Sequence, residues 1–315
     1  MDYVLNILFL IIGFALLIKG ADLFVDGSSS IAKIMKIPTV IIGLTIVSIG
    51  TSLPEASVSI TASLQKSYDL SIANVVGSNI FNLLVVVGAS AVICPFMVDK
   101  TIMKRDFHIC TIATIVLGAF LLDNTLSLLE SIILFVFFAA YITLLVVSAI
   151  KNRKQATEDY KVLSPSKSII YIILGIIGII LGGKLTVDSA TFFAHKLRMS
   201  ELLIGLTVVA VGTSLPELVT SIVAAKKGES EIALGNVIGS NIFNIFFILG
   251  TSGIVHPLIC DTGAFIDTLL LLGVCALMYC LCMSGRKVSR KEGVISIVIY
   301  LIYVIYAILR AYALI

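Results

Sequence analysis

The sequence predicts an all-α integral membrane protein, with ten transmembrane helices arranged as two inverted five-helix repeats. Three observations predict it. The 315 residues are 59% hydrophobic and only 13% charged, with a mean hydropathy of +1.12, whereas soluble domains are about 25% charged. The apolar stretches run to about 20 residues or more, the length of a membrane-spanning helix, while barrel strands alternate over about 10. A 13-residue segment also recurs, nearly letter for letter, 162 residues further on.

Apolar spans fall at roughly 3–25, 38–65, 70–94, 106–122, 127–150, 167–194, 200–225, 231–256, 263–283 and 292–314. Only Met1 and Asp2 precede the first, and no small-residue cleavage site follows it. It therefore reads as a span and not as a signal peptide. Polar breaks separate the others: Asp99–Asp106, Asp123–Thr125, Lys151–Lys167, Lys226–Glu231 and Ser284–Glu292. The second, third, seventh and eighth spans are the least uniformly apolar.

The basic residues test this count. Alternate loops hold 16 of the 22 Lys and Arg residues, the termini and remaining loops hold 4, and Lys19 and Lys184 fall inside spans. Such a bias places the five basic loops in the cytoplasm and both termini outside. The expected location is the cell membrane, crossed many times. Tryptophan is absent, so an interfacial aromatic belt rests on the ten tyrosines. The six cysteines have neither metal-ligand nor disulfide spacing and read as small packing residues.

The repeat is long. GLTIVSIGTSLPE at 43–55 aligns with GLTVVAVGTSLPE at 205–217, ten of thirteen identical. NVVGSNIFN at 74–82 aligns with NVIGSNIFN at 236–244, eight of nine identical. The same offset pairs Gly20 with Gly182, Asp26 with Asp188 and Pro95 with Pro257. Residues 1–150 form the first repeat, 151–166 a cytoplasmic linker and 167–315 the second repeat. Five spans per repeat is an odd number, so the second block enters the membrane facing the other way. Inverted repeats are the plan of many secondary transporters, whose sites lie at the repeat interface on interrupted helices.

The polar residues within the repeat carry the chemistry. Pro54 and Pro216 lack an N–H and crowd the carbonyls of Gly50 and Gly212, so backbone oxygens near Ser48–Gly50 are expected to be free for a ligand. Thr51 and Ser52 precede Glu55 by one helical turn, and Thr213 and Ser214 precede Glu217 likewise. Asn74, Ser78 and Asn82 form one stripe, repeated by Asn236, Ser240 and Asn244. Gly77 and Gly239 are expected to let neighbouring helices approach closely. Asn74, Asn79, Asn236 and Asn241 read as bonds between helices, Thr45 and Thr207 as structural, and Asp22, Asp26 and Asp188 as interfacial. Glu55 and Glu217 differ from these. A carboxylate at mid-membrane costs at least about 2.5 kcal/mol, and their own and adjoining motifs hold no basic residue. A cation or protons would balance them. An all-oxygen inventory suits hard cations, Ca²⁺ above all, and two carboxylates balance one Ca²⁺, two Na⁺ or two protons equally.

The pattern GTSLPE followed by GSNIFN, twice, in inverted halves, resembles the sodium/calcium exchanger family within the cation/Ca²⁺ exchanger superfamily, in its compact prokaryotic form. The resemblance implies a central diamond of ion sites from spans 2, 3, 7 and 8. It assigns Ca²⁺ to Glu55 and Glu217 with the carbonyls of Thr51 and Thr213. Flanking Na⁺ sites use Ser52, Ser78, Ser214 and Ser240 with the carbonyls of Ser48 and Ala210, and Asn82 and Asn244 complete the centre. Asn at both of these last positions argues against potassium coupling and removes one proton acceptor. In the family's alternating-access scheme spans 1 and 6 slide across the rest. The expected function is Ca²⁺/Na⁺ antiport. Ca²⁺ and Na⁺ are the transported substrates, the lipid bilayer is the surroundings, and neither a cofactor nor a nucleic-acid partner is expected. A Ca²⁺/H⁺ antiporter of the same fold is the alternative, and a cation channel ranks behind both. No nucleophile–base pair, zinc motif or phosphate loop suggests an enzyme.

Overall fold

The structure is a computed structural model that describes residues 2–151, 163–199, 208, 210–285 and 287–312. It is mostly helical. In chain order the helices are α1 (Asp2–Met35), α2 (Thr39–Thr51), α3 (Leu53–Leu64), α4 (Tyr68–Ile93), α5 (Ile102–Asp123), α6 (Leu128–Lys151) and α7 (Pro165–Lys196). They continue as α8 (Ala210–Thr213), α9 (Leu215–Lys226), α10 (Ser230–Val255), α11 (Thr262–Met283) and α12 (Arg290–Ala311). Among the described residues eight helices are long and apolar enough to cross a membrane, and α2 with α3 makes a ninth if that pair, bent by 50°, is one span. The expected seventh span, 200–225, lies partly outside the described residues, as does most of the linker at 151–166; α8 and α9 are the described part of that span.

The loops add a little strand that the all-helical expectation lacks. Phe96–Met97 pairs antiparallel with Lys287–Val288, and Thr125–Leu126 with Leu258–Ile259. Each ladder joins loops far apart in sequence, and no hydrophobic periodicity can announce a strand of two residues.

Helix ends recur at the repeat offset. Lys36 (φ 55°) and Arg198 (φ 60°) end α1 and α7 in the left-handed conformation, and Lys66 (φ 61°) and Gly228 (φ 78°) follow α3 and α9. After α1 and α7 the chain turns back, with Ile37 N donating to Ala32 O at 3.0 Å and Met199 N to Ala194 O at 3.1 Å.

The outer helices turn large apolar side chains outward, such as Ile11, Phe137, Leu174 and Ile302, as lipid contact requires. Of the most apolar stretch of α12 only 11% is buried, against 72% for α4 and 94% for α10. The helices carrying the GSNIFN motifs are therefore the centre of the molecule. Lipid tails are as apolar as Leu, so helices here associate by close packing and hydrogen bonds, not by escape from water. The α1–α7 pair shows this. A Cβ on Gly20 would lie 2.8 Å from Ile179 N, and one on Gly182 2.6 Å from Leu17 N, so the two backbones nearly touch.

Candidate cation centre

Both GTSLPE motifs break their helix at the serine. Ser52 (φ −86°, ψ 10°) separates α2 from α3, and Ser214 (φ −90°, ψ 5°) separates α8 from α9. Pro54 and Pro216 then occupy the first turn of the new helix, where a missing N–H costs nothing. Glu55 and Glu217 follow in that same turn, at the end of the helix dipole that favours negative charge.

Hydrogen bonds cross from one half of the sequence to the other, in matched pairs. Ser52 Oγ donates to Glu217 Oε1 at 2.8 Å, and Ser214 Oγ to Glu55 Oε1 at 3.0 Å. Asn79 Nδ2 donates to Asn241 O at 3.2 Å, and Asn241 Nδ2 to Asn79 O at 3.1 Å. Asn82 Nδ2 donates to Asn241 Oδ1 at 3.1 Å, and Asn244 Nδ2 to Asn79 Oδ1 at 3.0 Å. Asn74 and Asn236 bind their own halves, to Ser59 Oγ at 2.9 Å and Ser221 Oγ at 3.0 Å. These four asparagines thus act between helices, as their sequence context suggests.

Glu55 and Glu217 are both fully buried. Thr213 faces Glu55, and Thr51 and Ser240 face Glu217. Thr51 Oγ1 also lies 3.0 Å from Asn236 Oδ1 and 3.1 Å from Val47 O. The decisive feature is what stays unpaired. Glu55 Oε2, Glu217 Oε2, Asn82 Oδ1, Asn244 Oδ1 and Ser78 Oγ are buried with no hydrogen-bond partner among the described residues. Four of these five can only accept, and an unmatched buried acceptor costs about 1–3 kcal/mol, more when charged. Such a set, on helices cross-linked at the core, offers the all-oxygen ligands that hard cations take.

The remaining predicted residues fall around it with some differences. The Ser48 carbonyl is not left without donors: it accepts Ser52 N at 3.1 Å and Ser240 Oγ at 3.4 Å. With Thr51 Oγ1 donating to it as well, at 3.3 Å, both of its lone pairs are already engaged, against the expectation of a free carbonyl there. The Ala210 carbonyl accepts Thr213 Oγ1 at 3.3 Å. Ala210 also lines, with Gly77, Tyr300 and Tyr303, a cavity of about 120 Å³. Of the two glycines expected to allow close approach, Gly239 does: a Cβ there would lie 2.7 Å from Ser48 Oγ and 2.8 Å from Leu44 Cα. Gly77 does not, since a Cβ there meets nothing described within 4 Å and opens on that cavity. Thr45 Oγ1 donates to Ile41 O within its own helix, and Thr207 lies outside the described residues.

Sequence reading missed one feature altogether. Wide π-helical turns occupy Gly43–Val47, Asn82–Val86 and Asn244–Leu249. Such turns concentrate at functional sites, and two of them start at Asn82 and Asn244. No proline or charge marks them, so periodicity alone carries no signal for them.

Bilayer-length helices wrapped around a buried, doubly acidic polar centre define a multi-pass membrane protein built to handle ions. The family model described as sodium/calcium exchanger protein matches residues 5–147 and again 167–309. The chain belongs to this family, and it is a membrane antiporter exchanging Ca²⁺ against another cation. It is 38% identical to the putative antiporter CaxA of Alkalimonas amylolytica over 94% of this chain and 96% of that protein. It is 34% identical to the sodium/calcium exchanger MaX1 of Methanosarcina acetivorans, over 95% and 97%. A structure of the sodium-calcium exchanger NCX_Mj soaked with zero Na⁺ and Ca²⁺ superimposes with a TM-score of 0.85 at 32% identity, covering 96% of this chain and 99% of that one.

Proposed function

We propose that this chain exchanges Ca²⁺ for Na⁺ by alternating access, and that Glu55 and Glu217 form the cation centre shared by both ions. The five unpaired buried oxygens carry this reading. Ca²⁺ takes Glu55 and Glu217 with the carbonyls of Thr51 and Thr213, and Asn82 and Asn244 close the centre. Na⁺ takes flanking positions at Ser52, Ser78, Ser214 and Ser240 with the carbonyls of Ser48 and Ala210. Either one Ca²⁺ or two Na⁺ neutralises the carboxylate pair, so the ions compete, and this competition couples their movement. The names of MaX1 and NCX_Mj, both sodium/calcium exchangers, favour Na⁺ as the counter-ion.

Ten spans in two inverted repeats, 1–150 and 167–315, with both termini outside, complete the proposal. Two matches to one family model, 162 residues apart at both ends, support the duplication. The matched hydrogen bonds across the centre support it from the geometry.

The test is ⁴⁵Ca²⁺ uptake by purified protein in liposomes. An outward Na⁺ gradient is expected to drive uptake, and a pH gradient without Na⁺ is expected not to. Uptake on the pH gradient alone would replace Na⁺ with H⁺ as the counter-ion. Flux with no counter-ion at all would make the protein a channel.

A further inference from the structure

Helix α1 is tied by charge to the turn after α9. Lys227, the residue just after α9, holds its Nζ 2.6 Å from both Asp22 Oδ1 and Asp26 Oδ1. Glu229 accepts Lys33 Nζ at 3.1 Å and Ser29 Oγ at 2.5 Å. Asp22, Asp26, Ser29 and Lys33 follow at steps of three or four residues, so they form one stripe of α1 turned towards residues 227–229.

The repeat does not supply this arrangement twice. The offset of 162 carries Lys227 to Gln65, Glu229 to Ser67, Asp22 to Lys184 and Lys33 to His195. With an uncharged Gln and Ser in place of Lys and Glu, the same pairing cannot form at the opposite face. The asymmetry stands against the near-identity of the motifs at the centre.

The position of α1 bears on access to that centre. Phe24 lies over Gly50, where a Cβ would come within 2.8 Å of its ring, and Val187 of α7 lies as closely over Gly212. The α1–α7 pair therefore covers both helix breaks. The two helices meet backbone to backbone along Gly13, Gly20 and Gly27, so a displacement of one carries the other. A shift of the pair along the core would move Phe24 off Gly50 and Val187 off Gly212.

We propose that Lys227 and Glu229 latch α1 to the 227–229 turn, hold the centre closed from that face, and must release for ions to pass there. The proposal rests on the exchange reading above. The latch sets how the resting protein divides its time between the two faces. Its partners are a fifth to a half exposed, so each pair is weak, and releasing the set shifts the population by about three- to tenfold.

Ca²⁺ is titrated on each face in turn, in liposomes sorted for orientation, with Lys227→Ala, Glu229→Gln and the pair combined. Apparent Ca²⁺ affinity is expected to strengthen about three- to tenfold at the latch face and to weaken, by a smaller factor, at the other. Impaired folding would weaken transport at both faces together. The charge reversal Lys227→Glu with Asp22→Lys and Asp26→Lys is expected to restore wild-type affinities. Shifts of the same sign at both faces, no shift, or no rescue overturns the latch. Wild-type protein measured alongside tests exchange itself, so failure of the latch and failure of exchange are separate results.

Discussion

Glu55→Gln and Glu217→Gln isolate the charge of the centre from its shape. The amide keeps the volume and an oxygen to accept from Ser214 or Ser52, which now bond Oε1 at 3.0 and 2.8 Å. What disappears is one of two buried negative charges. A Ca²⁺ bound by the remaining carboxylate leaves a net unit charge in the membrane interior, where it costs about 2.5–3.5 kcal/mol on the mild insertion scale. At 1.36 kcal/mol per tenfold, Ca²⁺ binding weakens by about 70- to 400-fold. Because the bonds around the two acids are paired, both variants are expected to lose similar amounts. Equilibrium ⁴⁵Ca²⁺ binding to purified protein measures the loss, and uptake driven by Na⁺ should fall with it. Near-wild-type binding by both variants, with unchanged melting, would refute the reasoning and move the cation elsewhere.

Three further predictions follow from the packing and the loops. Gly239→Ala forces a Cβ to within 2.7–2.8 Å of Ser48 and Leu44 and should destabilise by about 1–3 kcal/mol; Gly77→Ala, facing open space, should leave the melting temperature in detergent unchanged. Asn241→Ala removes the donor to Asn79 O and the acceptor of Asn82 Nδ2, and should cost about 1–3 kcal/mol, read as a lower melting temperature together with weaker Ca²⁺ binding. Cys260 lies in the loop before α11, where burial and the nearby Asp69, Asp261 and Asp123 push its thiol up to about 11. The thiolate that reacts forms only as pH rises towards that value, so maleimide labelling at pH 8 should run on the order of 10²-fold slower than with free cysteine, and speed up with pH.

Much of the centre is legible in the amino-acid sequence because its signals are local. A proline one turn after a glycine breaks a helix whatever surrounds it, and Ser52 and Ser214 mark the breaks. A mid-span carboxylate demands a partner, and that demand alone singles out Glu55 and Glu217. Other features depend on what each residue meets across the bundle. Gly77 and Gly239 occupy identical motifs, yet only Gly239 faces a neighbouring backbone. The crossed bonding of Ser52 to Glu217 and Ser214 to Glu55, in place of each serine to the acid of its own motif, follows from how the two halves dock. Asp22 and Asp26 look interfacial in sequence because Lys227 is some two hundred residues away. The π turns at Asn82 and Asn244 carry no composition signal.

The central claim is that Ca²⁺ and Na⁺ compete for one centre built on Glu55 and Glu217. Equilibrium binding of ⁴⁵Ca²⁺ to purified protein, titrated with NaCl against choline chloride at constant ionic strength, tests it most directly. The account predicts that Na⁺ alone displaces bound Ca²⁺ from the wild type, and that the Glu55→Gln/Glu217→Gln double variant binds no Ca²⁺ to displace. Bound Ca²⁺ indifferent to Na⁺, or full Ca²⁺ binding by a folded double variant, would contradict it.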